Sequence, residues 1–303
     1  MTARWCGAWL GVCLIAAAGC RTRDLSAVER SPTAVAREQR LEKVLADRNA
    51  GLDGQPIARW VLPASLREIS GLVITKSGNL LVQGDEVGAI WQLDYRRGIL
   101  VKQFFLGDKA QHGDFEGITV VNDTLFMLTS NGKIYQFQEG ADNAHVPFRV
   151  FDTGLKNMCE FEGIAFDPSI NSLLLACKHV HEKDVRDAIL IFRWSLAGDT
   201  TTNRLSKLVV PLGSGVLGPN GWKTLHPSDI TIDPVTGNYV LLASLEKAMI
   251  EVTPAGEVVF VRLLARTHEQ AEGIAITKDS ILIISDEAKQ SPAAITLYKW
   301  PLR

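Results

Sequence analysis

The chain has little basic excess, few aromatic residues and, beyond its first twenty positions, no long apolar run. Lys plus Arg number 32 against 34 Asp plus Glu, a formal charge of −2. That balance excludes a fold held on nucleic acid by a clustered basic face. Aromatics are 7% of the 303 residues, and no stretch of 18 apolar residues follows Cys20, so the body does not cross a bilayer as a helix. Chemical motifs are equally sparse. G-x-S-x-G, H-E-x-x-H and paired C-x-x-C are all missing. Gly213-Ser214-Gly215-Val216-Leu217-Gly218 fits G-x-G-x-x-G, but Pro219-Asn220-Gly221 follows where a phosphate-binding helix should start, so it reads as a loop. His179-Val180-His181 places two rings on one strand face without a third ligand, and reads as a surface or satisfied pair rather than a zinc site.

What is present begins at the N-terminus. One Arg, an apolar core from Trp5 to Ala18 and a small-residue finish form a secretory signal. Ala17-Ala18-Gly19-Cys20 resembles a bacterial lipobox, which makes Cys20 the expected lipid anchor and residues 1–19 the signal. Arg21, rather than Asp, follows Cys20, and by analogy with enterobacterial lipoproteins this points to the outer membrane. Residues 20–56 mix charges and turn formers and read as a solvated tether, with a short helix over 33–49 carrying Leu41, Val44 and Leu45 on one side.

The remainder, 57–303, is a repeat. EISGLVIT (68–75), DFEGITVV (114–121), EFEGIAFD (160–167), HPSDITID (226–233) and QAEGIAIT (270–277) align, and each is followed by a second strand-like run. From Ser70 through Glu116, Glu162 and Ser228 to Glu272 the spacings are 46, 46, 66 and 44. Third and fourth runs follow in most units, as in AIWQLD with ILVKQFFL or MIEVTP with EVVFVRLL. Four short antiparallel strands in about 45 residues is a β-propeller blade. After Glu272 only three strands fit, and IARWVLP (57–63) supplies the fourth. The expectation is all-β: a five-bladed propeller whose last blade is closed by strand 57–63. The long third step leaves a degenerate sixth blade as the alternative.

Carboxylates carry the chemical signal. Glu116, Glu162 and Glu272 recur at one first-strand position, with Glu68, Asp114 and Glu160 two residues before that position in their own repeats. Side chains two apart share a strand face, so these acids should converge on the channel. A second set closes the second strands: Asp85-Glu86, Glu246 and Asp286-Glu287, with Asn131 and His179 in register and Lys178 beside His179. Acids crowded on one axis repel and shift their pKa values upward unless a cation holds them, and hard oxygen ligands at a wide mouth suit Ca²⁺. The expected metal set is Glu116, Glu162, Glu272, Asp85, Glu86, Asp286 and Glu287. A hairpin turning at Pro168–Asn171 places Cys177 opposite about residue 162, which leaves a Cys159–Cys177 disulfide open in an oxidising compartment.

Ile69-Ser70-Gly71-Leu72 with Gly84-Asp85-Glu86, the two F-E-G-I units, His226-Pro227-Ser228-Asp229-Ile230, and Ala271-Glu272-Gly273-Ile274 with Ser285-Asp286-Glu287 together resemble the SdiA-regulated family of bacterial envelope propellers, and more loosely the phytase-like propellers. The resemblance implies a periplasm-facing or lipid-anchored propeller with bound Ca²⁺; the expectation for this chain is a monomer that engages a ligand or an envelope protein and no nucleic acid. The rival expectation is a Ca²⁺-dependent esterase, lactonase or phosphoesterase at the same mouth. Phytase-like enzymes add basic side chains for phosphate, and here Lys178 alone is placed to serve.

Overall fold

The computed structural model describes residues 31–47, 51, 54–181, 187–197 and 204–301. The signal, Cys20 and the first part of the tether lie outside the described residues.

Five antiparallel sheets form a closed ring. Blade 1 comprises Ile69–Ile74, Leu80–Gly84, Ala89–Asp94 and Ile99–Leu106, with the short strand His145–Val146 added in parallel at its outer edge. Blade 2 is Phe115–Val121, Thr124–Thr129, Lys133–Gln138 and Phe148–Asp152. Blade 3 is Cys159–Asp167, Ser172–Val180, Ala188–Ser195 and Leu205–Pro211; blade 4 is Asp229–Ile232, Tyr239–Ala243, Ala248–Val252 and Val258–Leu263. Blade 5 takes Ala271–Ile276, Ile281–Asp286 and Ala294–Lys299 from the C-terminus and Ala58–Val61 from the N-terminus, paired from Ala58 opposite Leu297 to Val61 opposite Ala294. The five-bladed expectation and the shared closing blade both hold. Among the described residues the long third step contains no sixth blade. Part of it is taken up by nine-residue hairpin strands in blade 3, and part by the turn of helix Ser214–Leu217 before blade 4.

Both faces of each sheet are covered, so the strands read as nearly continuous apolar runs. One core cluster fills each gap between neighbouring blades. Phe104, Phe115 and Met127 fill the gap between blades 1 and 2, and Ile69, Trp91 and Ile283 close the ring between blades 5 and 1. First strands touch in sequence around the axis, the last against the first. The Gly of the repeat permits this approach. A Cβ on Gly71 would lie 2.8 Å from the Gly117 Cα, and one on Gly163 would lie 2.7 Å from the Asp229 Cα.

Residues 32–46, expected within a solvated tether, are a docked helix, α1 (Pro32–Ala46). Ser31 Oγ accepts from Ala34 N (3.2 Å) and Pro32 occupies the first turn, where its missing N–H costs nothing. Leu41, only 2% exposed, joins the cluster between blades 5 and 1. Glu38 pairs with Arg97 (2.8 Å), and Arg37 stacks over Trp60. The apolar stripe therefore found a groove at the ring's closure rather than water.

Candidate functional site

At four of the five first strands the hairpin register slips where the repeat places its key residue. Phe115 faces Thr129 and Gly117 faces Leu128, so Glu116 is the extra, unpaired residue. Glu162 stands likewise between Phe161 (facing Cys177) and Gly163 (facing Ala176), and Glu272 between Ala271 and Gly273. In blade 1 the slip falls between Ile69 and Leu72, at Ser70-Gly71. A bulge re-aims its extra side chain, and here three glutamates are aimed into one end of the channel. The resulting cavity, about 170 Å³, is lined by Glu68, Ile69, Ser70, Asp85, Glu116, Glu162, Lys178, Gln270, Glu272 and Glu287.

Six carboxyl groups thus share a small space with one ammonium. Lys178 Nζ donates to Glu162 Oε1 at 2.6 Å. Burial disfavours the lysine's charge, but Glu162, and then Glu272 and Glu116, more than offset it and raise its pKa. The remaining acids are short of counter-charge. Burial, with Glu162 and Asp114 nearby, pushes Glu116 up to about 9. Burial and Glu162 push Glu272 up to about 7. Glu162 is itself raised, because burial outweighs Lys178. Asp85 is raised by burial and Glu68, and Glu287 by burial, Asp85 and Glu68. Asp85 Oδ1 is buried without a hydrogen-bond partner.

Two members of the expected metal set stand elsewhere. Adjacent strand residues face opposite ways, so each Asp-Glu pair can send one side chain to the mouth. Glu287 goes there and is held by Gln270; Asp286 turns into the gap between blades 4 and 5. There its Oδ2 accepts from His268 Nδ1–H (2.9 Å), with Arg59 at 3.6 Å, while the Tyr298 hydroxyl donates to His268 Nε2 (2.6 Å). Asp85 lines the mouth, and Glu86 is exposed outside it. Asp114 is exposed beside Glu116 and accepts from the Ser130 hydroxyl.

His179 lines a second cavity with His226, and Glu160 and Glu246 neighbour these two histidines. Glu160 faces His179 across the blade 3 hairpin. Glu246 accepts from His226 Nδ1–H (2.7 Å) and its backbone N–H (3.1 Å). A cavity of about 280 Å³ opens beside these rings, and Lys178 lines both cavities. A disulfide joins Cys159 and Cys177, with Cα atoms 5.7 Å apart. Cys177 faces Phe161 rather than residue 162, because the bulge at Glu162 shifts the register by one.

Sequence reasoning missed Asp229, which occupies the glycine position of the repeat. Fully buried, it accepts from Ile274 N of the next blade (2.8 Å) and from Ile230 N (2.8 Å). Ser228 Oγ donates to Ala271 O (2.8 Å) and Ser70 Oγ to Glu116 O (3.2 Å), so the serines that replace glutamate fasten neighbouring blades. The signal was visible as S-D-I aligned with E-G-I.

The mouth's donors suit a hard divalent cation in kind: carboxylate oxygens, one of them buried and unpartnered. They are not closed around a point. Among the described residues no three His, Cys, Asp or Glu side chains are grouped to hold a metal ion as they stand.

The family model described as SdiA-regulated matches residues 96–291. No curated protein matches the chain. Among solved structures, a glutaminyl cyclase from Myxococcus xanthus is similar with a TM-score of 0.53 at 14% identity, covering 80% of this chain and 94% of its own. A luciferin-regenerating enzyme is similar with a TM-score of 0.50 at 9% identity, covering 82% and 96%. At such identities the likeness is one of fold.

Proposed function

Because the chain belongs to the SdiA-regulated family, we propose that it is a lipid-anchored binding module of the cell envelope whose acidic channel mouth takes a cation, calcium being the inorganic candidate. One observation carries the reading: six carboxyl groups and a single ammonium line one cavity. Lys178 serves Glu162 and Arg67 stands 4.0 Å from Glu68, which leaves Glu116, Glu272, Glu287 and Asp85 as the residues that would hold a calcium ion. When bound, that ion would supply the positive charge these buried acids lack and draw their pKa values down. Binding should therefore release protons, and affinity should rise with pH as Glu272 and then Glu116 ionise.

The lipobox-like Ala17-Ala18-Gly19-Cys20 supports a lipid anchor, and Arg21 after it supports the outer membrane, facing the periplasm or the surface. Replacing Cys20 with Ser should move the protein from the detergent phase to the aqueous phase on detergent partitioning. Retention in the detergent phase would contradict the anchor. The cation reading is tested by calcium titration at pH 6 and pH 8. Heat at pH 8 with proton release supports it, whereas no heat at either pH removes it.

A second reading, a hydrolase of esters, lactones or phosphoesters, draws on the separation between Glu116, up to about 9, and Glu272, up to about 7. Carboxyls with separated pKa values can divide acid and base roles. Turnover of generic ester or phosphoester substrates that is lost in Glu116→Gln would favour the enzyme. No turnover with or without chelator favours the binding module.

A further inference from the structure

The second cavity carries a different chemistry from the acidic mouth. His179 ends the second strand of blade 3, and His226 lies in the segment that enters blade 4. Their ring centroids are 5.0 Å apart with planes at 60°. Two imidazoles sharing one tetrahedral ion, with metal–nitrogen bonds of about 2.0–2.1 Å, have centroids about 5 Å apart. Glu246 takes the Nδ1–H of His226, which leaves that ring's Nε2 lone pair free. A carboxylate on one ring nitrogen is the arrangement that orients a histidine toward a metal on the other. Glu160 lies opposite His179 in the hairpin register, which puts a carboxylate donor beside that ring. The adjoining cavity of about 280 Å³ is lined by Lys178, Asp187 and Thr224 as well as both histidines, leaving room for open coordination positions.

We propose that His179, His226 and Glu160 form a site for a first-row divalent transition metal, with Glu246 as the positioning residue for His226. Two imidazoles and one carboxylate suit zinc or iron(II) rather than calcium, whose preference is for oxygen donors alone. The site adjoins the acidic mouth through Lys178, which lines both cavities, and through Glu160, whose charge reaches Glu162. His181, two residues further along, is exposed and takes no part.

Zinc titration of the metal-free full chain, with cobalt(II) absorption as a spectroscopic readout, tests the proposal. One zinc per chain is expected, with visible cobalt bands from a site of low symmetry. His179→Ala and His226→Gln should each weaken zinc at least tenfold. The Gln variant keeps a donor for Glu246 and therefore the local fold, which its thermal unfolding without metal should confirm. Glu160→Gln should alter the cobalt spectrum, and Glu246→Gln should weaken zinc about 10- to 100-fold. Glu116→Gln and Glu272→Gln should leave zinc binding unchanged, and excess calcium should not displace it. Absence of zinc binding, binding untouched by the His179 and His226 variants, loss caused by His181→Ala instead, or displacement by calcium would each overturn the proposal.

Discussion

Replacing Glu272 with Gln should stabilise the calcium-free protein, and by more at pH 8 than at pH 5. Glu272 holds its proton up to about 7 in the fold, against an ordinary value of 4.5, chiefly because it is buried and then because Glu162 is near. The folded state therefore binds more protons than the unfolded chain between pH 4.5 and 7. Stability falls as pH rises through that window and levels off above it. A shift of that size costs the folded state about 3 kcal/mol at pH 8 and below about 1 kcal/mol at pH 5, before discounting for coupling to Glu162 and Lys178. Glutamine keeps the volume and a carbonyl acceptor while deleting the ionisation. After discounting, the gain should be about 1–3 kcal/mol at pH 8 in EDTA and less than half of that at pH 5. Urea unfolding followed by tryptophan fluorescence at both pH values measures it. Calcium should narrow the gap at pH 8: at 100 times its dissociation constant it adds about 2.7 kcal/mol to the wild type and less to the variant. A variant no more stable than wild type at pH 8 in EDTA, or an equal gain at the two pH values, would refute the reasoning.

Substitutions at three further positions test the scaffold. Gly163→Ala puts a methyl 2.7 Å from the Asp229 Cα, so blades 3 and 4 must part, lowering stability by about 1–3 kcal/mol in urea unfolding. Asp229 accepts Ile230 N–H on Oδ1 and Ile274 N–H on Oδ2, so Asp229→Asn, whose NH2 can accept neither, should cost about 1–3 kcal/mol. Asp229→Ala, which leaves the Ile274 N–H unpaired, should cost about 1–3 kcal/mol by the same measurement. Leu41→Ala empties a buried position of α1 and should cost about 2–5 kcal/mol, with limited proteolysis cutting within residues 32–46 before the ring.

The blades were legible because both faces of every sheet are buried. Apolar runs such as SLLLACKH and YVLLASLE cannot sit elsewhere, and turn signals such as Lys76-Ser77-Gly78-Asn79 separate them. Closure by residues 57–63 followed from a missing strand. The acidic mouth was legible in outline, since Glu116, Glu162 and Glu272 recur at one position and do meet in one cavity. Which member of an adjacent pair faces that mouth was not legible. Asp286 and Glu287 differ only by strand parity, and parity near a bulge depends on where the register slips. The docking of α1 was hidden for a related reason: Leu41, Val44 and Leu45 make a stripe too short to announce its partner, a groove built from residues far away in sequence. His226 and Glu246 are brought to His179 only by the packing of blade 4 on blade 3, so the lone histidine pair at 179 and 181 gave no sign of them.

The claim that the mouth binds a cation is tested most directly by calorimetric titration of calcium into metal-free protein at pH 8, wild type against the Glu116→Ala/Glu162→Ala double variant. The account predicts saturable heat with proton release and raised thermal stability in the wild type, and neither in the variant. No heat and no thermal stabilisation in the wild type, or equal binding by the variant, would contradict it.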